Sequence, residues 1–125
     1  LKRMLTKINY RIHTDAIQEN IVLPQKLSSQ DAKIVYATEA DVLNKALFGM
    51  TAQEWREKNQ DIDGNIRDYA TVTQLVCLSN LENINAEYIR KQLPQSERLL
   101  LLNESAIRQM KSLIGNPGIR KWERM

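Results

Sequence analysis

Residues 71–114 read TVTQLVCLSNLENINAEYIRKQLPQSERLLLLNESAIRQMKSLI, and their pattern decides the fold. Thr71-Val72-Thr73-Gln74 is a capping box: a hydroxyl accepts the third helical amide, and a side chain three residues on reaches back to the cap. From there Leu75, Leu78, Leu81, Ile84 and Tyr88 recur every three or four residues, the spacing of one helical face, and Val76, Cys77 and Ile89 widen it. So broad an apolar surface predicts the central helix of a bundle, running to about residue 92. Asn80, Asn83 and Asn85 lie on the same helix, where Asn is a poor interior residue. Some are expected at the surface and one or two bonded to the backbone of a partner element. Pro94 suits a helix start. The last helix then runs to about residue 114, with Leu99, Leu102, Ala106, Met110 and Leu113 on one side and Leu100, Ile107 and Ile114 on the next. Gly115 and Asn116-Pro117-Gly118 stop it.

Working back toward the N-terminus, Thr51-Ala52-Gln53-Glu54 is a second capping box. It predicts a short helix to about residue 58, with Trp55 as a core anchor. Before it, Thr38 is expected to cap a helix whose first turn holds Glu39 and Asp41, near the positive end of the helix dipole. Val42, Leu43, Ala46 and Leu47 form its apolar side, and Gly49 takes the left-handed position that ends it. Residues 1–18 read as an amphipathic helix on Leu1, Met4, Leu5, Ile8, Ile12, Ala16 and Ile17. Residues 19–33 break the pattern at Pro24 and at Ser28-Ser29-Gln30, and read as a flexible connector. Residues 21–23 and 34–36 are short enough to extend only briefly. The expectation is an all-α protein: a single helical bundle of about five helices with a polar loop near residues 59–69. Residues 1–18 form a lead helix, 31–115 the helical core, and 116–125 a basic tail containing Trp122.

Composition narrows the function classes. A chain of 125 residues with 42% hydrophobic and 26% charged content suits one globular domain. No apolar run is longer than four residues, as at 99–102, far short of a membrane span, and no signal peptide is visible. The single cysteine, Cys77, fits a reducing, cytoplasmic setting. The net charge of +3 is unevenly placed: residues 1–13 carry +4, residues 14–107 carry −5 and residues 108–125 carry +4. Any contact with a polyanion is therefore expected at the ends, through Arg3, Lys7 and Arg11 or through Arg120, Lys121 and Arg124. Otherwise these charges form a solvated face.

Catalytic groups are scarce. One histidine, His13, and one cysteine, Cys77, offer no nucleophile–base couple and no three-ligand metal set. Four scattered glycines form no phosphate loop. Asp61, Asp63 and Asn65 imitate the start of a calcium loop, but Gly64 is misplaced and Val72 stands where the twelfth-position Glu belongs. No cofactor, metal or small-molecule substrate is expected, and the chain reads as non-enzymatic. Asn65, Arg67 and Asp68 remain as a polar loop cluster where a site could lie. The structural alternative is a turn held by an Arg67–Asp pair and packed by Tyr69.

Several stretches carry a family resemblance: KINYRIHTDAI (7–17), DVLNKALFG (41–49), TAQEWREKN (51–59), GNIRDYATVTQLVCLSNLENINAEYI (64–89) and LPQSERLLLLN (93–103). Together they resemble the C-terminal region of bacterial KilA-N domain proteins, a phage- and mobile-element-associated family. The similarity spans roughly residues 5–114 and is most specific around Trp55-Arg56 and residues 64–71. The resemblance implies an accessory region of a DNA-binding protein, cut from a longer chain whose DNA-reading domain lies upstream of Leu1. It transfers no catalytic or binding residue. The module is then expected to mediate homo-oligomerisation, a dimer above all, or partner binding, with direct nucleic-acid contact through the basic ends as the alternative.

Overall fold

The computed structural model describes residues 2–114, with the side chains of Lys7 and of residues 10–114. Five α-helices follow one another: α1 (Lys2–Ile17), α2 (Ser29–Phe48), α3 (Ala52–Lys58), α4 (Val72–Arg90) and α5 (Gln95–Ile114). A π-helical turn (Gln18–Val22) extends α1, and a 3-10 turn (Ile66–Tyr69) precedes α4. No strand occurs among the described residues. The chain is the all-α bundle that its periodicity predicts.

Both capping boxes form. Thr51 accepts from the Glu54 amide while Glu54 accepts from the Thr51 amide, and Thr71 and Gln74 do the same for α4. Gly49 ends α2 at φ +78, in the left-handed region open to glycine. The turn from α4 into α5 closes through Gln92 at φ +61, where the Leu93 amide donates to the Tyr88 carbonyl at 3.1 Å.

The connector expected over residues 19–33 is a correction. Ordered structure occupies most of it: the π-turn, a tight turn through Lys26 at φ +53, and a helix that starts at Ser29 rather than Glu39. Ser28 is the cap, its hydroxyl accepting from the Asp31 amide at 3.1 Å. Thr38 lies inside α2 and donates its hydroxyl to the Ile34 carbonyl at 2.7 Å. A hydroxyl satisfied in this way does not interrupt a helix. Residues 21–23 and 34–36 are helical or turn, not extended.

The core is built from Val42, Leu43 and Ala46 of α2, Cys77, Leu78 and Leu81 of α4, and Leu102 and Ala106 of α5. Each fully buried leucine contributes about 1.5–3 kcal/mol. On the other side of α4, α1 presents His13, Ala16 and Ile17, all buried. Ile12, expected on the apolar face, is 38% exposed, and His13 holds the core position instead. The imidazole can be buried there because α4 supplies it with a hydrogen bond. The cross-helix contacts give the helix directions. α1 runs with α4, and α2 with α5. The first pair lies antiparallel to the second. Thus α4, buried on most sides at Thr73, Leu75, Leu78, Leu81, Asn85 and Ile89, is the central helix.

Candidate functional site

Three features stand out: a buried polar centre, the loop before α4, and the outer face of α5. The centre lies where the four long helices meet. Arg98 of α5 is 4% exposed and Glu39 of α2 is 3% exposed. They pair through two hydrogen bonds, Nη1–Oε1 at 2.5 Å and Nη2–Oε2 at 2.8 Å. Arg98 Nη1 also donates to Asn85 Oδ1 at 3.1 Å, and its Nε to the Leu93 carbonyl at 3.0 Å. Gln95 donates to Glu39 Oε2 at 3.1 Å. Asn85 of α4, fully buried, lies 2.8 Å from His13 Nε2. Because the amide nitrogen is the donor there, Nε2 accepts and the imidazole is neutral with its proton on Nδ1.

The electrostatics agree with this assignment. Burial pushes His13 down to about 4, against the pull of Glu39, with Arg67 and Arg98 adding to the fall. Burial alone would raise Glu39, but the hydrogen bonds and charge of Arg98 outweigh it and hold the carboxyl below the usual range. The centre is a neutral imidazole and a compensated ion pair, closed from solvent. Cys77 is equally sealed, and burial pushes its thiol up to about 11. No group of three or more His, Cys, Asp or Glu among the described residues could hold a metal ion.

One turn before Asn85, Glu82 is 1% exposed. Its Oε1 lies 3.7 Å from Arg67 Nη1, and its Oε2 has no hydrogen-bond partner. Burial pushes this carboxyl up to about 7, with Arg67 pulling the other way. The ion pair ties the 3-10 turn to α4. The expected Arg67–Asp staple is thereby corrected, since Asp68 is engaged elsewhere. Asn65 and Asp68 form a third capping box: Asn65 Oδ1 accepts from the Arg67 and Asp68 amides, and Asp68 Oδ2 accepts from the Asn65 amide at 2.8 Å.

Arg56 organises the rest of the loop. Its guanidinium donates to the carbonyls of Asn59 (3.0 Å), Ile62 (2.5 Å) and Gly64, and sits 5.0 Å from the Trp55 ring centre. Trp55 is half-buried and packs on Tyr69, ring centres 5.5 Å apart, so it anchors this loop and not the main core. Tyr69 donates its hydroxyl to the Asp63 carbonyl at 2.6 Å. Gly64 has φ +95, and a Cβ there would meet Asp68 Oδ2 at 2.8 Å. Asn65, Arg67 and Asp68 are thus brought together, but as the internal frame of a turn. A shallow cleft of about 180 Å³ lies beside them, lined by Phe48, Met50, Trp55, Tyr69 and Gln74.

Of the basic residues expected to meet a polyanion, Lys7 and Arg11 are exposed one turn apart on α1. Arg3 lies in α1 with its side chain outside those described, and Arg120, Lys121 and Arg124 lie outside the described residues, as do Gly115 and Trp122. On α5, Leu100 is 68% exposed, Ile107 50% and Ile114 57%. They are separated by two steps of seven residues and form an outward apolar stripe.

Sequence reading missed Arg98, Glu82 and Arg56, and took Glu39 for a helix-start acid. A signal existed for two of them. Arg98 continues the buried row of Leu102 and Ala106 at four-residue steps, and Glu82 falls between Leu78 and Leu81 on one side and Ala86 and Ile89 on the other. A charge at a core position of an apolar stripe announces a buried partner.

No protein-family model, curated protein or solved structure matches this chain. No helix among the described residues is long and apolar enough to cross a membrane.

Proposed function

We propose that this chain is a non-catalytic assembly module of a DNA-binding protein of the KilA-N type, and that it acts by self-association. The observation that carries the reading is the stripe of Leu100, Ile107 and Ile114 on the outer face of α5, each at least half exposed. Large apolar side chains scattered singly need no explanation, but a row at a helical repeat marks a surface that covers something. The groups best suited to chemistry, His13 and Cys77, are sealed in the interior and used for packing and hydrogen bonding, which favours assembly over catalysis. The DNA-binding context rests on the sequence resemblance. Self-association would join two copies of the parent protein and raise its DNA avidity through effective concentration.

Light scattering of the purified chain over a range of concentrations tests this. A dimer mass is expected at high concentration, and Leu100→Glu with Ile107→Glu should return it to monomer without loss of helicity. A monomer at every concentration would refute the reading.

A second reading, direct nucleic-acid contact, draws on the exposure of Lys7 and Arg11 one turn apart. Asp15 continues that row and weakens it. Fluorescence anisotropy with duplex DNA at low and high salt decides it: salt-dependent binding lost on replacing Arg3, Lys7 and Arg11 by Gln would support contact.

A further inference from the structure

We propose that two copies of this chain pair through α5 in antiparallel orientation, about a two-fold axis at Ile107. This rests on the self-association proposed above and adds its geometry.

The inner face of α5 is fixed. Arg98, Leu102 and Ala106 are buried against α2 and α4. Arg98 holds Glu39, and Asn103 Nδ2 donates to the Ala46 carbonyl at 3.0 Å. These bonds clamp α5 to α2, so its outer face is presented on a rigid support. Leu100 and Ile107 lie opposite the buried row, and Ile114 continues them. A seven-residue repeat drifts only about 20° per step, so three residues stay on one face.

Charge fixes the direction. The exposed flank of this stripe carries Glu97 and Glu104 in the first half of α5, and Arg108 and Lys111 in the second. A parallel pair would lay the acidic half on the acidic half and the basic half on the basic. An antiparallel pair brings unlike halves together. With the axis at Ile107, Leu100 faces the second copy's Ile114, Ile107 faces its own image, and Glu104 lies within one residue of the position opposite the second copy's Lys111. Two-fold symmetry repeats each contact. Charges flanking an apolar seam set orientation in helix pairs. The seam is only two repeats long, so the association is concentration-dependent and not permanent.

Cysteine cross-linking of the full chain under mild oxidation reads the geometry directly. Cys77 is fully buried and stays silent. Ile107→Cys should form a covalent dimer, because that residue meets itself. Leu100→Cys alone should not, since its image lies about 21 Å along the helix axis at 1.5 Å per residue. Leu100→Cys together with Ile114→Cys should cross-link. Glu104→Lys should raise the dissociation constant about fivefold or more, and adding Lys111→Glu should restore it. Self-linking of Leu100→Cys as readily as Ile107→Cys would mean a parallel pair, in which every position meets its own image, and would overturn the inference while leaving self-association in place. A dimer mass with no cross-link from any of these variants would place the seam elsewhere and also overturn it. A chain monomeric throughout overturns both readings.

Discussion

Arg98 carries a full charge into the protein interior, and its cost is met by Glu39, Asn85 and the Leu93 carbonyl. Removing one partner of such a pair strands the other. Arg98→Met should therefore destabilise the fold by about 3–5 kcal/mol, while Arg98→Met with Glu39→Leu should recover most of that loss. Urea unfolding midpoints of the two variants test this; equal destabilisation would argue that the pair is not closed from water. His13 and Glu82 give the molecule a compensated response to acid. His13 falls from 6.5 to about 4 on folding, so the folded state takes up fewer protons and stability rises with pH through that window. Glu82 rises from 4.5 to about 7, so the folded state holds more protons and stability falls as pH climbs through that window. Each effect is on the order of 3 kcal/mol, and between about pH 4.5 and 6.5 they oppose each other. Urea unfolding as a function of pH should be nearly flat there for the native chain. Glu82→Gln should give a rising slope, and His13→Asn a falling one. Below this range the paired carboxylate of Glu39, held low on folding, loses its contribution as it protonates.

At the level of elements, what could be read from sequence was what is local. The boxes at Thr51 and Thr71 and the stop at Gly49 are settled within four residues, and the structure repeats them. The start of α2 was not legible because its first ten residues have no buried side chain until Glu39. With only the half-buried Ala32, Val35 and Tyr36 to mark its inner side, Ser28-Ser29-Gln30 resembles a connector and Thr38 resembles a cap. The polar centre was illegible for a different reason: His13 and Asn85 are 72 residues apart, and Arg98 and Glu39 are 59. Nothing local pairs them. The two threonines separate these cases by experiment. Thr71→Ala removes a working cap and should cost about 1 kcal/mol. Thr38→Ala, inside a helix, should be neutral or stabilising by a few tenths of a kcal/mol. Thermal melts of both variants decide, and a large loss at Thr38 would contradict the long α2.

On the scale of the whole molecule, stability is unevenly spread. α4 is buried on most sides, whereas α3 has no buried residue and the loop after it hangs on Arg56, Trp55 and Tyr69. Hydrogen exchange should therefore open residues 52–70 first and the amides of α4 last, at the global unfolding free energy. Arg56→Ala should speed exchange in the loop and leave α4 unchanged; faster exchange in both would mean that the loop belongs to the cooperative core. The polar centre has one more consequence. Leu78, Leu81 and Leu102 are interchangeable with their neighbours, so a bundle held by leucines alone tolerates sliding. A slip of α5 by one turn, about 5.4 Å, would put one leucine in place of another but carry Arg98 away from Glu39. His13, Asn85, Glu39 and Arg98 each occur on a different helix, and only one alignment of the four satisfies them all. They act as the teeth of a key, and what they secure is the uniqueness of the fold more than its depth.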